Sequence, residues 1–209
     1  MTSLAAIPAL RALPPASLAA VGRASRTVRY GAGSFIRAPG TPADGVLLLL
    51  AGTVAAEHAT VDGTPVWPDR WTGPSIVDKP AALDGGAWPS GLVAVTACTG
   101  RLLPRNRFLR LLEEESSVRR HVLAHLARDV LVGRRQLAQA VTLPAAARVA
   151  AWLANQADPV AWRGTQEQLG RVLGLSRVTV NRALSRLARA GAITLSPHGI
   201  VVIDRRRLG

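Results

Sequence analysis

The stretch Thr165–Gly191, "TQEQLGRVLGLSRVTVNRALSRLARAG", leaves few folds open. Thr165 followed three residues later by Gln168 is the spacing of a capping box, so a helix opens there. Leu169 and Leu173 share one face of that helix. Gly170 leaves room where a second helix must cross, and Gly174 supplies the left-handed conformation of a tight turn. Leu175 plugs the corner. In the second helix, successive residues step about 100° around the axis. This gathers Val180, Ala183, Leu184 and Leu187 into a core-facing stripe. Asn181, Arg182, Ser185, Arg186 and Arg189 take the other side, with Val178 in their midst. Small, glycine and apolar residues at these offsets are the signature of a helix-turn-helix. Just beyond, "AITL" and "GIVVID" read as strands around the turn "SPHG", which adds a wing.

A helix held this way offers its N-terminal, outward residues to base edges in the major groove, while flanking arginines meet phosphates. Arg177 and Arg182 can each fork onto a guanine, and Asn181 can pair with adenine. Thr179, Ser185 and Arg186 complete the candidate face. Val178 can pack on a thymine methyl, although single exposed valines are also ordinary on surfaces. Gln166, opening the first helix, and His198, on the wing, are expected to approach backbone phosphates.

The charge agrees with double-stranded DNA as partner. Lys and Arg number 26 against 13 Asp and Glu, a net of +13, and Lys79 is the only lysine. From Thr142 onward, ten arginines face only Asp158, Glu167 and Asp204. Such an excess favours a polyanion, either nucleic acid or an anionic membrane surface. The longest apolar run, "GVLLLLAG", is too short to span a bilayer. Arg11 and three early prolines argue against a signal peptide, so a cytoplasmic protein without membrane attachment is expected. The lone Cys98 excludes an internal disulfide framework and any all-cysteine metal site within one chain. No Ser/His/Asp set, metal cluster or phosphate-cradling glycine loop marks an enzyme, and no cofactor is expected.

The rest of the chain divides in two. Ser25–Thr99 alternates short apolar runs with Gly/Pro turn signals, the pattern of a β sandwich or roll. Before it, "PPASLAAVGRAS" reads as a leading helix. From Arg105 to about Val141 there is no proline and one glycine. Leu123, Leu126, Val130, Gly133 and Leu137 recur there at steps of three and four, the seam of a coiled coil. That seam either packs on its own β domain or joins two chains; the length and regularity of the run favour a homodimer. "TLPAAARVAAWL" then restarts a helix, with Pro144 suited to its first position. The expected fold is α+β: a β-roll over 1–104, a long dimerisation helix over 105–141, and a winged helix-turn-helix over 142–209.

This order of parts resembles the cyclic AMP receptor protein (CRP/FNR-type) family of bacterial transcription regulators, from about Ala16 to the end. "GTPADGVLLLLAGTVAA" is similar to the family's glycine-bracketed strand, here between Gly40 and Gly52. "RVAAWL", opened by Arg148, resembles the first helix of its DNA domain. The resemblance implies a homodimer that binds an inverted-repeat operator and contacts RNA polymerase. Two departures stand out. The family's reading helix carries a glutamate where this chain has Val178, which implies an operator more tolerant of thymine at that base pair. The pocket that holds a cyclic nucleotide in relatives is degenerate here. Asp78 takes the place of the ribose-binding glutamate, and Trp88-Pro89 stand where an arginine should precede Ser90. Gly133 and Arg134 fall where a Thr-Ser pair grips adenine. A buried phosphate needs a paired cation or amide donors, which Lys79 alone could offer. Cyclic AMP is therefore not the expected ligand, and the effector stays unassigned. His58 or Cys98 as haem ligands, and His121 with His125 as metal ligands, are weaker alternatives. Trp67, Trp71 and Trp88 either fill the old pocket or line an apolar ligand site. In a second reading, the β domain receives its signal from a partner protein.

Overall fold

The computed structural model describes residues 3–61, 63–87, 90–156, 160–196 and 199–208. The chain forms two compact units. One comprises Met1–Gly63 with Pro68–Leu131, the other Thr64–Trp67 with Val132–Gly209.

The first unit opens with two short 3-10 turns, Leu4–Ala6 and Pro8–Leu10, and α1 (Pro15–Ala24), where Pro15 sits in the first turn. The strands follow: β1 (Arg26–Tyr30), β2 (Phe35–Arg37), β3 (Gly45–Ala51), β4 (Thr53–Ala59), β5 (Pro65–Thr72) and β6 (Ser75–Val77). A short α2 (Lys79–Asp84) then precedes β7 (Gly91–Ala94) and β8 (Cys98–Pro104). They assemble as two four-stranded sheets, ordered β1-β8-β3-β6 and β2-β7-β4-β5. The run "GVLLLLA" does not alternate because β3 is covered on both faces, as a central strand can be. Leu47 and Leu49 turn to the roll interior with Val28, Val54, Val77 and Leu92. Val46 and Leu48 turn the other way, onto Ile7, Leu10, Phe108, Val118 and Val122. Trp71 packs against the interior cluster, and Trp67 is buried. Trp88 lies outside the described residues.

The helical run after β8 is two helices rather than one. α3 (Arg105–Glu114) ends at Glu115, whose backbone is extended (φ −113°, ψ 95°), and α4 (Ser116–Thr142) begins beyond it. Arg119 secures the break by donating to the carbonyls of Leu112 and Glu113 at 2.9 and 3.1 Å. The start of α4 serves its own unit, since Val118 and Val122 are buried and Leu126 packs against the same cluster. Further along, the apolar seam emerges. Leu123, Val130 and Leu137 are 61%, 54% and 68% exposed.

In the second unit, α5 (Ala145–Ala154) starts one residue later than expected, with Pro144 at the N-cap. β9 (Val160–Trp162), α6 (Gln166–Leu173), α7 (Arg177–Arg189), β10 (Ile193–Ser196) and β11 (Gly199–Val202) follow. The three helices enclose Val149, Leu153, Leu169, Val180 and Leu184. The wing is three-stranded, ordered β10-β11-β9. β9 comes from "VAW", within a segment whose sequence suggests a loop. Trp162 anchors it, buried edge-on against Trp152 at 5.4 Å between ring centres.

Candidate nucleic-acid interface

The geometry of the reading helix is built from its local chemistry. The Thr165 hydroxyl accepts from the Gln168 amide and the Gln168 side chain accepts from the Thr165 amide, each at 3.1 Å, which fixes where α6 begins. Gly174 takes the left-handed conformation (φ 61°, ψ 41°) that ends it. A β-carbon at Gly170 would lie 2.6 Å from the Leu175 carbonyl oxygen. The close approach thus belongs to the turn entering α7, and only glycine permits it. Arg148 of α5 donates to the carbonyl of Leu173, holding α5 against the end of α6. Ser176, not among the residues expected from sequence, is the N-cap of α7. Its hydroxyl accepts from the Thr179 amide at 3.1 Å and bonds the Thr179 hydroxyl at 2.9 Å. A serine three residues before a threonine at a helix start was the available signal.

The core stripe holds as expected, with Val180, Ala183 and Leu184 buried. Arg177, Val178, Asn181, Arg182, Ser185 and Arg186 are all exposed on the other side, Val178 by 59%, and Thr179 is half-buried among them. Among the described residues, Arg177, Arg182 and Arg186 have no acidic partner, whereas Arg171 on α6 is paired to Glu167 at 2.9 Å. Three uncompensated guanidinium groups on one helix face form a ready surface for a polyanion. Asn181 is held in place before any ligand arrives. Its amide NH2 donates to the Gln166 side chain at 3.0 Å, and its carbonyl accepts from Ser185 at 3.3 Å. One N–H and one lone pair remain free, the number a bidentate contact to adenine uses. Gln166 therefore orients a reading residue, a role its sequence position did not disclose. His198 lies outside the described residues.

The candidate effector residues are dispersed. Asp78 adopts a left-handed backbone (φ 52°, ψ 46°), and its carboxylate meets Arg37 of β2 at 2.7 Å. The two side chains are only 15% and 12% exposed, and Arg37 also reaches the Ser90 carbonyl at 3.4 Å. Arg37 was not among the expected residues; nothing in "SFIRAPG" marks it as a partner for Asp78. Lys79, offered above as a substitute phosphate ligand, points elsewhere. It is 3% exposed and donates to the Ile76 carbonyl at 3.0 Å. Gly133 and Arg134 are exposed positions of α4 in the second compact unit, whereas Asp78, Lys79 and Ser90 belong to the first. His125 is engaged with Asp129 at 2.8 Å, and no cluster of three metal-ligating side chains occurs among the described residues. None of the described helices is long and apolar enough to cross a membrane.

Comparison with known proteins agrees with this geometry. Residues 147–209 match the Crp-like helix-turn-helix domain, and residues 27–115 match the cyclic nucleotide-binding domain. A CRP-like cAMP-activated global transcriptional regulator of Mycobacterium tuberculosis is 23% identical over 204 residues, covering 93% of this chain and 91% of that protein. Among solved structures, FixK2 from Bradyrhizobium japonicum superposes with a TM-score of 0.73 at 21% identity, covering 88% of this chain and 95% of its own. The catabolite activator protein of Thermus thermophilus gives a TM-score of 0.57 at 23% identity, covering 96% of each chain. With a Crp-like reading helix and a cyclic nucleotide-binding-like β-roll in one chain, this protein belongs to the CRP/FNR family of DNA-binding transcription regulators and is not an enzyme.

Proposed function

We propose that this protein acts as a homodimer on an inverted-repeat operator and does so without cyclic AMP. The observation that carries the second half is the Arg37–Asp78 pair. The carboxylate that would hold a ribose is already met, at 2.7 Å, by an arginine of its own β-roll. A cyclic nucleotide would have to break a largely desolvated ion pair, and truncating or displacing one partner of such a pair is costly. The exposed seam of α4 supports the dimer. Leu123, Val130 and Leu137 form an apolar stripe at coiled-coil spacing, and Gly133 has open space around it. Contact with RNA polymerase and a cytoplasmic location complete the reading, with the β-roll, dimer helix and DNA domain divided near residues 104 and 141.

Isothermal titration of the full-length protein with cyclic AMP tests the ligand independence. No saturable heat is expected, and micromolar binding would refute it. A second reading is favoured by the same ion pair: with the old pocket filled from within, the β-roll takes its input from a partner protein. Its distinguishing outcome is operator binding that requires a co-purifying protein.

A further inference from the structure

The first unit contains a cavity whose lining includes neither Arg37 nor Asp78. It measures about 170 Å³ and is walled by Ile7, Pro8, Ala9, Pro74 and Ile76 on its apolar side. Lys79, Ser75, His121 and His125 line the remainder. One water needs only ~10–15 Å³ of such space, so the cavity is large for solvent alone. Its polar lining is short of acceptors. The Lys79 ammonium has three N–H groups, and its protein acceptor is the Ile76 carbonyl. The Ser75 hydroxyl is buried with no partner among the described residues. Asp69, Asp78 and Asp129 lie within electrostatic reach of Lys79, but none is bonded to its ammonium among the described residues, and Asp78 and Asp129 are bonded to Arg37 and His125. A buried ammonium with one acceptor for its three N–H groups, beside a buried hydroxyl with none, is an arrangement that folded proteins avoid.

We propose that this cavity is a binding site for a short monocarboxylate, its two oxygens taken by Lys79 and Ser75 and its alkyl end by Ile7, Pro74 and Ile76. The donor count selects the ligand. Two free ammonium hydrogens, one hydroxyl and one imidazole N–H suit the two oxygens and single charge of a carboxylate, whereas phosphate would bring four oxygens and a further negative charge against one buried ammonium. A cation is excluded by Lys79, and the apolar wall disfavours a fully hydrated ion. Burial, with His125, Arg128 and Lys79 nearby, pushes the His121 imidazole below its ordinary range, so at neutral pH it adds no second charge to the wall. α4 supplies His121 and His125 from its first turns, and the cavity therefore reports to the helix that carries the dimer seam. Binding here does not depend on the DNA reading, and its test uses no DNA.

The experiment titrates the full-length protein with butyrate, following heat and the imidazole C–H resonances of His121 and His125. Butyramide, the neutral counterpart, and inorganic phosphate serve as comparisons. Butyrate should saturate one site per chain and move the His121 resonance, with butyramide and phosphate at least ten-fold weaker. Lys79→Met, which keeps the chain length and removes the charge, should lower butyrate affinity on the order of ten-fold or more. Ser75→Ala should lower it by a smaller factor and decides the matter should Lys79→Met fail to fold. Equal binding of butyrate and butyramide, tighter binding of phosphate, absence of saturation, or unchanged affinity in these variants would overturn the proposal.

Discussion

A single side chain, Val178, separates this reading helix from the family pattern it resembles. It is exposed among arginines, and burying it against a thymine methyl is the one favourable contact an apolar group can make on a base edge. Val178→Glu should therefore move the preference at one base pair of each half-site toward cytosine, by roughly 1–3 kcal/mol of discrimination, as scored by competition with variant operators. An unchanged preference would make Val178 an ordinary surface residue. Lys79 invites a different measurement. Burial holds its pKa below the ordinary 10.5, so the unfolded chain binds that proton more tightly than the folded one. The wild type should thus gain stability as pH rises from the folded pKa toward 10.5. Lys79→Met should lack this gain, and denaturant midpoints of the two proteins across that window give the comparison.

At the scale of elements, the turn between α6 and α7 is where the sequence spoke most clearly. A capping box, a left-handed glycine and a glycine under a carbonyl are local steric requirements, so they can be read from spacing alone. Gly170→Ala, placing a methyl 2.6 Å from the Leu175 oxygen, should cost about 1–3 kcal/mol. Leu184→Ala, at the buried centre of the same unit, should cost about 2–5 kcal/mol. Both are read from chemical denaturation. Elsewhere the sequence was less legible, for physical reasons. The break at Glu115 lies among good helix formers and is fixed by Arg119 reaching back to two carbonyls. β9 is three residues long, too short for its periodicity to register, and depends on pairing with β11. The Arg37–Asp78 pair is wholly tertiary: Arg37 sits on an edge strand and Asp78 at a left-handed turn, and no spacing rule joins them. There are thus grounds in the sequence to expect a degenerate pocket at Asp78, Trp88 and Ser90, but none to expect Arg37 beside Asp78.

On the scale of the whole molecule, the proposed dimer through the α4 seam would turn one reading surface into two. The first residues of α4 are consumed by their own core, and the later ones leave Val130, Leu137 and Val141 exposed by 54%, 68% and 79%. Replacing Val130 and Leu137 together by glutamate should leave secondary structure intact and yield monomers in analytical ultracentrifugation. Operator affinity should fall at least a hundred-fold once the half-sites are bound independently. An unaltered dimer would place the interface elsewhere. A regulator that reads DNA with its nucleotide pocket filled from within should reveal itself in binding-site selection. The purified protein would be offered random duplex DNA at near-physiological salt with no added ligand, since affinity without a stated salt says little. Enrichment of an inverted repeat is expected, with thymine tolerated opposite Val178. Salt-sensitive binding without a consensus, or enrichment that appears only when cyclic AMP is present, would contradict it.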